Sequence, residues 1–359
     1  MRRRVVVPVV VGALVLVAAG LTGWRLLPDP TAYQQAVAWL PASTMRASYT
    51  DWAQVRDRAG GTSLDAASSA REVDRFLDRA YDLDLTTASA VSGSTYVLMH
   101  KYGFSPLDAE WEIFGQSREG AVDVMRLDET VDMAGIERKL RTLGYTAPAA
   151  GSDRAGVWTG SADLVAGLDP ALSSTQQNVA VLVDQRVVLM GDDARYLSAA
   201  AAVVRGSSDG LSSVSGVENL ARVVPDAPVS ALLWAGDFAC EDLSLGAADE
   251  EDQRVAEDLV ADAGGVSPVA GLVVARVASG ALTVGLHFER DDQAESNLQP
   301  RVDLASGPAP GQGGSFADRF SVTSAQVDGA DVVLHLRPRA ARPGVFSDIT
   351  QGPILFATC

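Results

Sequence analysis

The pentapeptide Gly206-Ser207-Ser208-Asp209-Gly210 is the one stretch of the chain that fits the G-x-S-x-G pattern of a serine nucleophile elbow. An elbow needs a strand directly before the serine and a helix directly after it, so that the strained turn projects the hydroxyl. Here the order is inverted. The Ala/Val-rich run up to Val204 has helical spacing, Gly206 suits the residue after a helix C-terminus, and the polar "SSDGLSSVSG" follows. Ser208 is therefore expected in a loop, and its histidine would have to be His287 or His335, both within apolar strand-like runs.

The other chemically capable residues are similarly placed. His100, His287 and His335 lie in "TYVLMH", "TVGLHFER" and "VVLHLRP", all read as strands, and no two have metal-ligand spacing. The acidic run from Glu241 to Asp262 carries Val255, Leu259 and Val260 at helical spacing. It lacks the alternating oxygen ligands, central glycine and closing glutamate of a calcium loop, so it reads as a solvated helix face. The segment starting at Tyr81, "YDLDLTTASAVSG", fails the same test. The Gly-rich "GPAPGQGGSF", Gly307 to Phe316, has neither the lysine nor the preceding strand of a phosphate loop. No catalytic, cofactor-binding or metal-ligating residue is assigned on these grounds. A cleft bringing two carboxylates together, or His287 and His335 with an acid, would instead mark an enzyme.

Cys240 and Cys359 are the only cysteines of the 359 residues. A lone pair without Cys-x-x-Cys spacing in an exported chain reads as one structural disulfide. Export is expected from the N-terminus. After Arg2, Arg3 and Arg4 comes an uncharged apolar run, Val5 to Gly23, ending beside Trp24 and Arg25. That length suits a membrane span of about 17–25 residues better than a secretory core of about 7–15. With arginines before it and an acidic body after it, the run reads as a signal-anchor in residues 1–30, N-terminus cytoplasmic and body outside. A signal peptide cleaved after the small residues Ala18-Ala19-Gly20 is the alternative. No cysteine follows the run to accept a lipid. The chain's net charge is −17, and the body is more acidic still, which disfavours nucleic acid as a partner.

The body must position whatever site exists, and its pattern is repetitive. A helix is expected over about 64–80, followed by strands at "TYVLMH" and "AEWEIFG". Strand–turn–strand–helix units then run from Trp111 to Gly144, from Asn178 to Gly206 and from Ala270 to Gly307, and a fourth hairpin turns at Asp328-Gly329. Asp132, Asp192 and an Asp292/Glu295 capping box are the expected helix starts, and Pro300 is expected to kink or restart its helix. Turns of two to five residues exclude parallel crossovers, so the expected fold is α+β, an antiparallel sheet covered on one face by helices. "RGSSDGLSSVSG" is the candidate divider between lobes 32–206 and 211–359.

Residues 36–237 resemble an exported bacterial domain family of unknown function. The likeness rests on "AVAWLPASTMRASYTDW", whose Leu40-Pro41-Ala42-Ser43-Thr44 is similar to that family's L-P-A-D-T opening, and on "NVAVLVDQRVVLMGDDARYLSAAAAVVRG" and "LSSVSGVENLARVVPDAPVSALLWAGD". It implies an extracytoplasmic α+β body and no activity. The expected function is a membrane-tethered binding or interaction module of the cell envelope, with an unknown envelope protein or ligand as partner. The alternative is an envelope hydrolase with a carboxylate- or histidine-based site.

Overall fold

Apolar strand pairs closed by polar turns build the molecule. The computed structural model describes residues 29–149, 156–243, 245, 248–339, 344–350 and 352–359. The expected signal-anchor lies outside them, and no helix among the described residues is long and apolar enough to cross a membrane. Four hairpins form where the sequence pattern placed them. They are β2 (Ala109–Gln116) with β3 (Ala121–Leu127), β5 (Asn178–Leu182) with β6 (Val187–Gly191), β8 (Gly271–Val277) with β9 (Leu282–His287), and β10 (Phe320–Asp328) with β11 (Asp331–Pro338). Three further strands, β1 (Arg46–Thr50), β4 (Val157–Thr159) and β7 (Pro228–Ala235), complete one antiparallel sheet of 11 strands in the order β10-β11-β9-β8-β7-β1-β2-β3-β6-β5-β4.

The same connectivity occurs twice in this order. At the centre β1 pairs with β7, from Arg46 opposite Trp234 to Thr50 opposite Ser230. Outward from β1 come a hairpin (β2-β3), then a second hairpin docked in reverse (β6-β5). Outward from β7 come β8-β9, then β11-β10. The helices Met133–Leu143 and Asp291–Leu304 follow the first hairpin of each half, so the two halves share one plan of hairpin, helix and reversed hairpin. The stretch 206–211 falls between the two plans, and the sheet continues without interruption across the β1–β7 seam.

Helices cover both faces of the first half, where one covered face was expected. The cause is visible in β5 and β6, which are buried at every position and so present no face to water. On one face Tyr49, Ile113, Val124, Leu189 and Leu233 pack under the helices Ala32–Ala38, Ala194–Val204 and Val217–Val223. On the other, Met125, Val188 and Met190 pack with Trp52, Phe76, Ile136 and Leu140. In the second half that other face buries Leu272, Val274, Leu286 and Leu334 against Ala294, Leu304 and the C-terminal Ile354–Ala357.

Local differences from the sequence expectation have local causes. "TYVLMH" is helical, because Tyr96 and His100 form one outward face four residues apart, their rings 4.2 Å apart, while Val97, Leu98, Met99 and Tyr102 are buried. The helix expected over 64–80 runs from Ala70 to Asp82, started by a Ser69/Glu72 capping box. Asp132 caps its helix as expected. Asp193, not Asp192, caps the Ala194–Val204 helix, since Asp192 already accepts the Ala121 amide at 2.8 Å. The Asp292/Glu295 box does not form, because Asp292 binds the Arg290 guanidinium at 2.9 Å and Arg290 occupies the cap position. The helix runs through Pro300 to Leu304.

Candidate functional site

Cys240, on the short Phe238–Leu243 helix, is disulfide-bonded to Cys359 with Cα atoms 5.7 Å apart, which leaves no thiol for catalysis. Ser208 is exposed in the loop between the Ala194–Val204 helix and the turn at Leu211, and no histidine bonds it. His100 is exposed and stacks on Tyr96. The later part of the acidic run is a helix, Glu250–Asp262, started by Asp249, while Glu241 and Asp242 lie on the Phe238–Leu243 helix. Gly307–Phe316 folds into a tight turn around Arg319, whose guanidinium donates to the carbonyls of Gln312 at 2.9 Å and Gly313 at 2.7 Å. Among the described residues no cluster of three or more His, Cys, Asp or Glu side chains could hold a metal ion.

His287 and His335 do share a surface. On β9 the residues Leu282, Val284 and Leu286 enter the core, so Thr283 and His287 point to the opposite side. Asp331 opposes His287 across the ladder and His335 opposes Thr283. His287 Nδ1 lies 2.6 Å from Asp331 Oδ1, with both side chains nearly buried, and His335 Nδ1 lies 3.4 Å from Thr283 Oγ1. Four residues of β11 separate Asp331 from His335, about 13 Å at about 3.3 Å per residue. The two histidines therefore belong to one surface and not to one reacting centre.

The Val217–Val223 helix forms the wall of this surface. It approaches β9 closely because Gly285 has no Cβ; one there would come within 2.7 Å of Val223 Cγ2. At its start Gly216 has φ +79°, and a Cβ there would lie 2.0 Å from His287 Cδ2. Beyond the helix no element among the described residues covers the outer part of the sheet, where His335 is half-buried and Arg337, Ser324, Gln326 and Asp328 are exposed, while Thr283, His287, Asp331 and Val333 are buried. A hollow of about 440 Å3 opens between Asn219, Arg222, Gln326, Asp328, Asp331 and His335. In the first half the corresponding position over β3, β5 and β6 is roofed by the Ala194–Val204 helix. In the second half the chain after β11 crosses to the other face, where Phe346 and Ile349 join the core.

The hollow offers mixed polar groups. Arg222 is held by Glu218 and by Asn219 Oδ1 at 2.9 Å, while Gln326 and Asp328 are exposed. His287 with Asp331 is an oriented imidazole–carboxylate pair, an arrangement that could supply a general base only if a nucleophile faced it. Among the described residues no serine, threonine or cysteine side chain bonds the ring's other nitrogen. The arrangement can hold a polar ligand by hydrogen bonds and lacks a positioned nucleophile.

A second pair of titratable groups is buried inside the first half. Glu112 is wholly buried and accepts hydrogen bonds from Trp52 Nε1 at 2.7 Å, Ser89 Oγ at 2.7 Å and the Ala90 amide at 2.6 Å. Asp123, on the neighbouring strand opposite Phe114, is also wholly buried, and neither carboxyl oxygen has a hydrogen-bond partner. Burial, reinforced by the Glu112 charge, pushes the Asp123 carboxyl well above the usual carboxylate range, and burial raises Glu112 against its three donors. The alternation of "AEWEIFG" and "AVDVMRL" puts both acids on one sheet face, a signal present in the sequence that was obscured by the covering helices. The D-x-V-x-H spacing of Asp331, Val333 and His335 was likewise legible.

No family model matches the chain, and neither the curated proteins nor the solved structures contain a significant match.

Proposed function

We propose that this chain is an extracytoplasmic binding module of the bacterial cell envelope, tethered by its N-terminal apolar run, and that the polar face of β10 and the outer part of β11, beside the Val217–Val223 helix, is its ligand surface. The observation that carries this reading is the contrast between the halves. One plan of hairpin, helix and reversed hairpin is roofed in the first half and open in the second, where polar side chains line a hollow of about 440 Å3. The export of the body rests on the three N-terminal arginines, the uncharged Val5–Gly23 run and the acidic composition beyond it. The Cys240–Cys359 bond fits an oxidising compartment.

The reading is tested in intact cells by placing a photo-crosslinking residue at Gln326 or Asp328, with Ser279 on a distant turn as control. Adducts with an envelope component other than a second copy of this chain are expected at the first two sites and not the third, and Arg222→Ala with His335→Ala should abolish them. Absence of adducts above the Ser279 background would sink it. The tether is tested by protease on spheroplasts, which should digest the body while the untreated chain stays in the membrane pellet. A mature chain beginning near Leu21 in the medium would refute the anchor. The His287–Asp331 pair keeps a hydrolase as the second reading; it requires loss of a hydrolytic activity in His287→Gln, whereas the binding reading requires that adducts persist in that variant.

A further inference from the structure

The two edges of the sheet are unequal. β4 is three residues long, too short to template a partner strand, whereas β10 spans nine residues. Its sequence, FSVTSAQVD, holds no proline and no lysine, and its one charge is the terminal Asp328. These are the devices by which natural edge strands block pairing, and β10 carries only one other, an irregularity between Val322 and Ser324. The strand is accessible: Thr323, Ser324, Gln326 and Asp328 are exposed, and Val322, Ala325 and Val327 are half-buried against the second-half core.

We propose that β10 pairs antiparallel with β10 of a second copy, joining two sheets into one across a two-fold axis at Ala325. The seam shares Gln326 and Asp328 with the rim of the ligand hollow, but the inference rests on the edge geometry of β10 and not on the ligand reading. The register follows from the faces. Pairing with β11 puts Val322, Ala325 and Val327 on the core side and Ser321, Ser324, Gln326 and Asp328 on the open side, with Thr323 as the extra residue of a bulge. Only side chains on the same face can oppose each other. Centring the pair on Ala325 satisfies that rule along the whole strand. Ala325 then meets its own copy, Ser324 meets Gln326, Val322 meets Val327, and Ser321 meets Asp328. Apolar pairs fall on the core side and polar pairs on the open side.

Charge supports the same partner. Exposed Arg337 is the β11 neighbour of Ser321 at one end of the edge, and Asp328 stands at the other end. Neither has an ion-pair partner among the described residues. Antiparallel self-pairing places Asp328 of each copy opposite Ser321 of the other, whose β11 neighbour on the same face is Arg337, so that the long Arg337 side chain can reach across Ser321 to the carboxylate, twice by symmetry. An edge with a cation at one end and an anion at the other is complementary to itself reversed, as an isologous interface requires.

The test uses the full chain in its membrane. Directly opposed antiparallel residues lie about 4.5–5.5 Å apart, within disulfide reach. Ala325→Cys should give a covalent dimer on a non-reducing gel, and Ser279→Cys, exposed on a distant turn, should remain monomeric. Asp328→Arg should reduce the Ala325→Cys dimer several-fold, and Asp328→Arg with Arg337→Asp should restore it. Light scattering of the native chain in mild detergent should independently return the mass of two chains. A monomeric mass, an Ala325→Cys yield no higher than Ser279→Cys, or a charge exchange that fails to restore the dimer would each overturn the proposal.

Discussion

His287 Nδ1 and Asp331 Oδ1 lie 2.6 Å apart on directly opposed positions of β9 and β11, beneath the first turn of the Val217–Val223 helix. A hydrogen bond to a charged group in this setting contributes about 1.5–3 kcal/mol, and deleting one partner strands the other. Asp331→Ala and His287→Phe are each expected to lower the melting temperature. The double variant should cost clearly less than their sum, because the second substitution removes a group already left unpaired. Additive losses in chemical denaturation would show that the two side chains do not support each other.

Gly216 is expected to be the least replaceable residue near the open face. Its φ of +79° strains any side chain, and a Cβ would enter the His287 ring. Gly216→Ala should therefore destabilise by more than the roughly 1 kcal/mol of an ordinary glycine replacement in a left-handed turn. His287→Ala in the same chain should recover the steric part and leave the backbone part. If the single variant loses less than about 0.5 kcal/mol by urea denaturation, the contact is not tight.

The buried acids predict a pH dependence of definite sign. The folded chain holds a proton on Asp123 that the unfolded chain releases near roughly pH 3.9. Its stabilising effect is full below that value and is lost as pH rises through the raised folded value, with a slope of up to about 1.4 kcal/mol per pH unit. Glu112, also raised, acts in the same direction. Asp123→Asn removes one of the two contributions. The variant should show a flatter stability curve as pH rises above about 4, and an advantage over the native chain that grows with pH. Parallel curves for the two proteins would refute a buried proton at Asp123.

The hairpins were legible because strand alternation and turn chemistry are local. Asp328-Gly329 and the Asp132 cap are fixed by a few neighbouring residues. Strand order was not legible, since nothing in β6 or β11 announces that each docks beside the preceding hairpin in reverse. The second covered face follows from continuous apolar runs such as "NVAVL", whose length alone cannot distinguish a strand buried on both sides from one in a simpler layer. "TYVLMH" misled through its β-branched Thr95 and Val97, where packing of Leu98, Met99 and Tyr102 overrode propensity. The open face escaped for a different reason: it depends on the helix after β11, Val345–Thr350, packing on the opposite face of the sheet, and the Asp331 partner of His287 lies 44 residues away.

The C-terminus is held by two separate devices, which gives the last prediction its form. The Cys240–Cys359 bond closes a separation of 119 residues, for which loop-closure entropy predicts about 4–5 kcal/mol. Arg301, wholly buried on the Asp291–Leu304 helix, donates to the carbonyls of Phe356 at 3.1 Å, Thr358 at 2.6 Å and Ser267 at 2.6 Å. It lacks a carboxylate partner among the described residues, and burial pushes its guanidinium down to about 9. The two buried carbonyls of Phe356 and Thr358, with the half-buried one of Ser267, are the reason a cation is tolerated there. Cys359→Ser should lower the melting temperature while leaving Arg301 to keep the last turn folded. Arg301→Met should also lower it, with the disulfide still found in a non-reducing peptide map. Only the double variant should release residues 354–359 to carboxypeptidase at a temperature where each single variant resists. Digestion of the tail in Cys359→Ser alone would show that Arg301 does not hold it, and two titratable thiols in air-purified, denatured native protein would refute the disulfide.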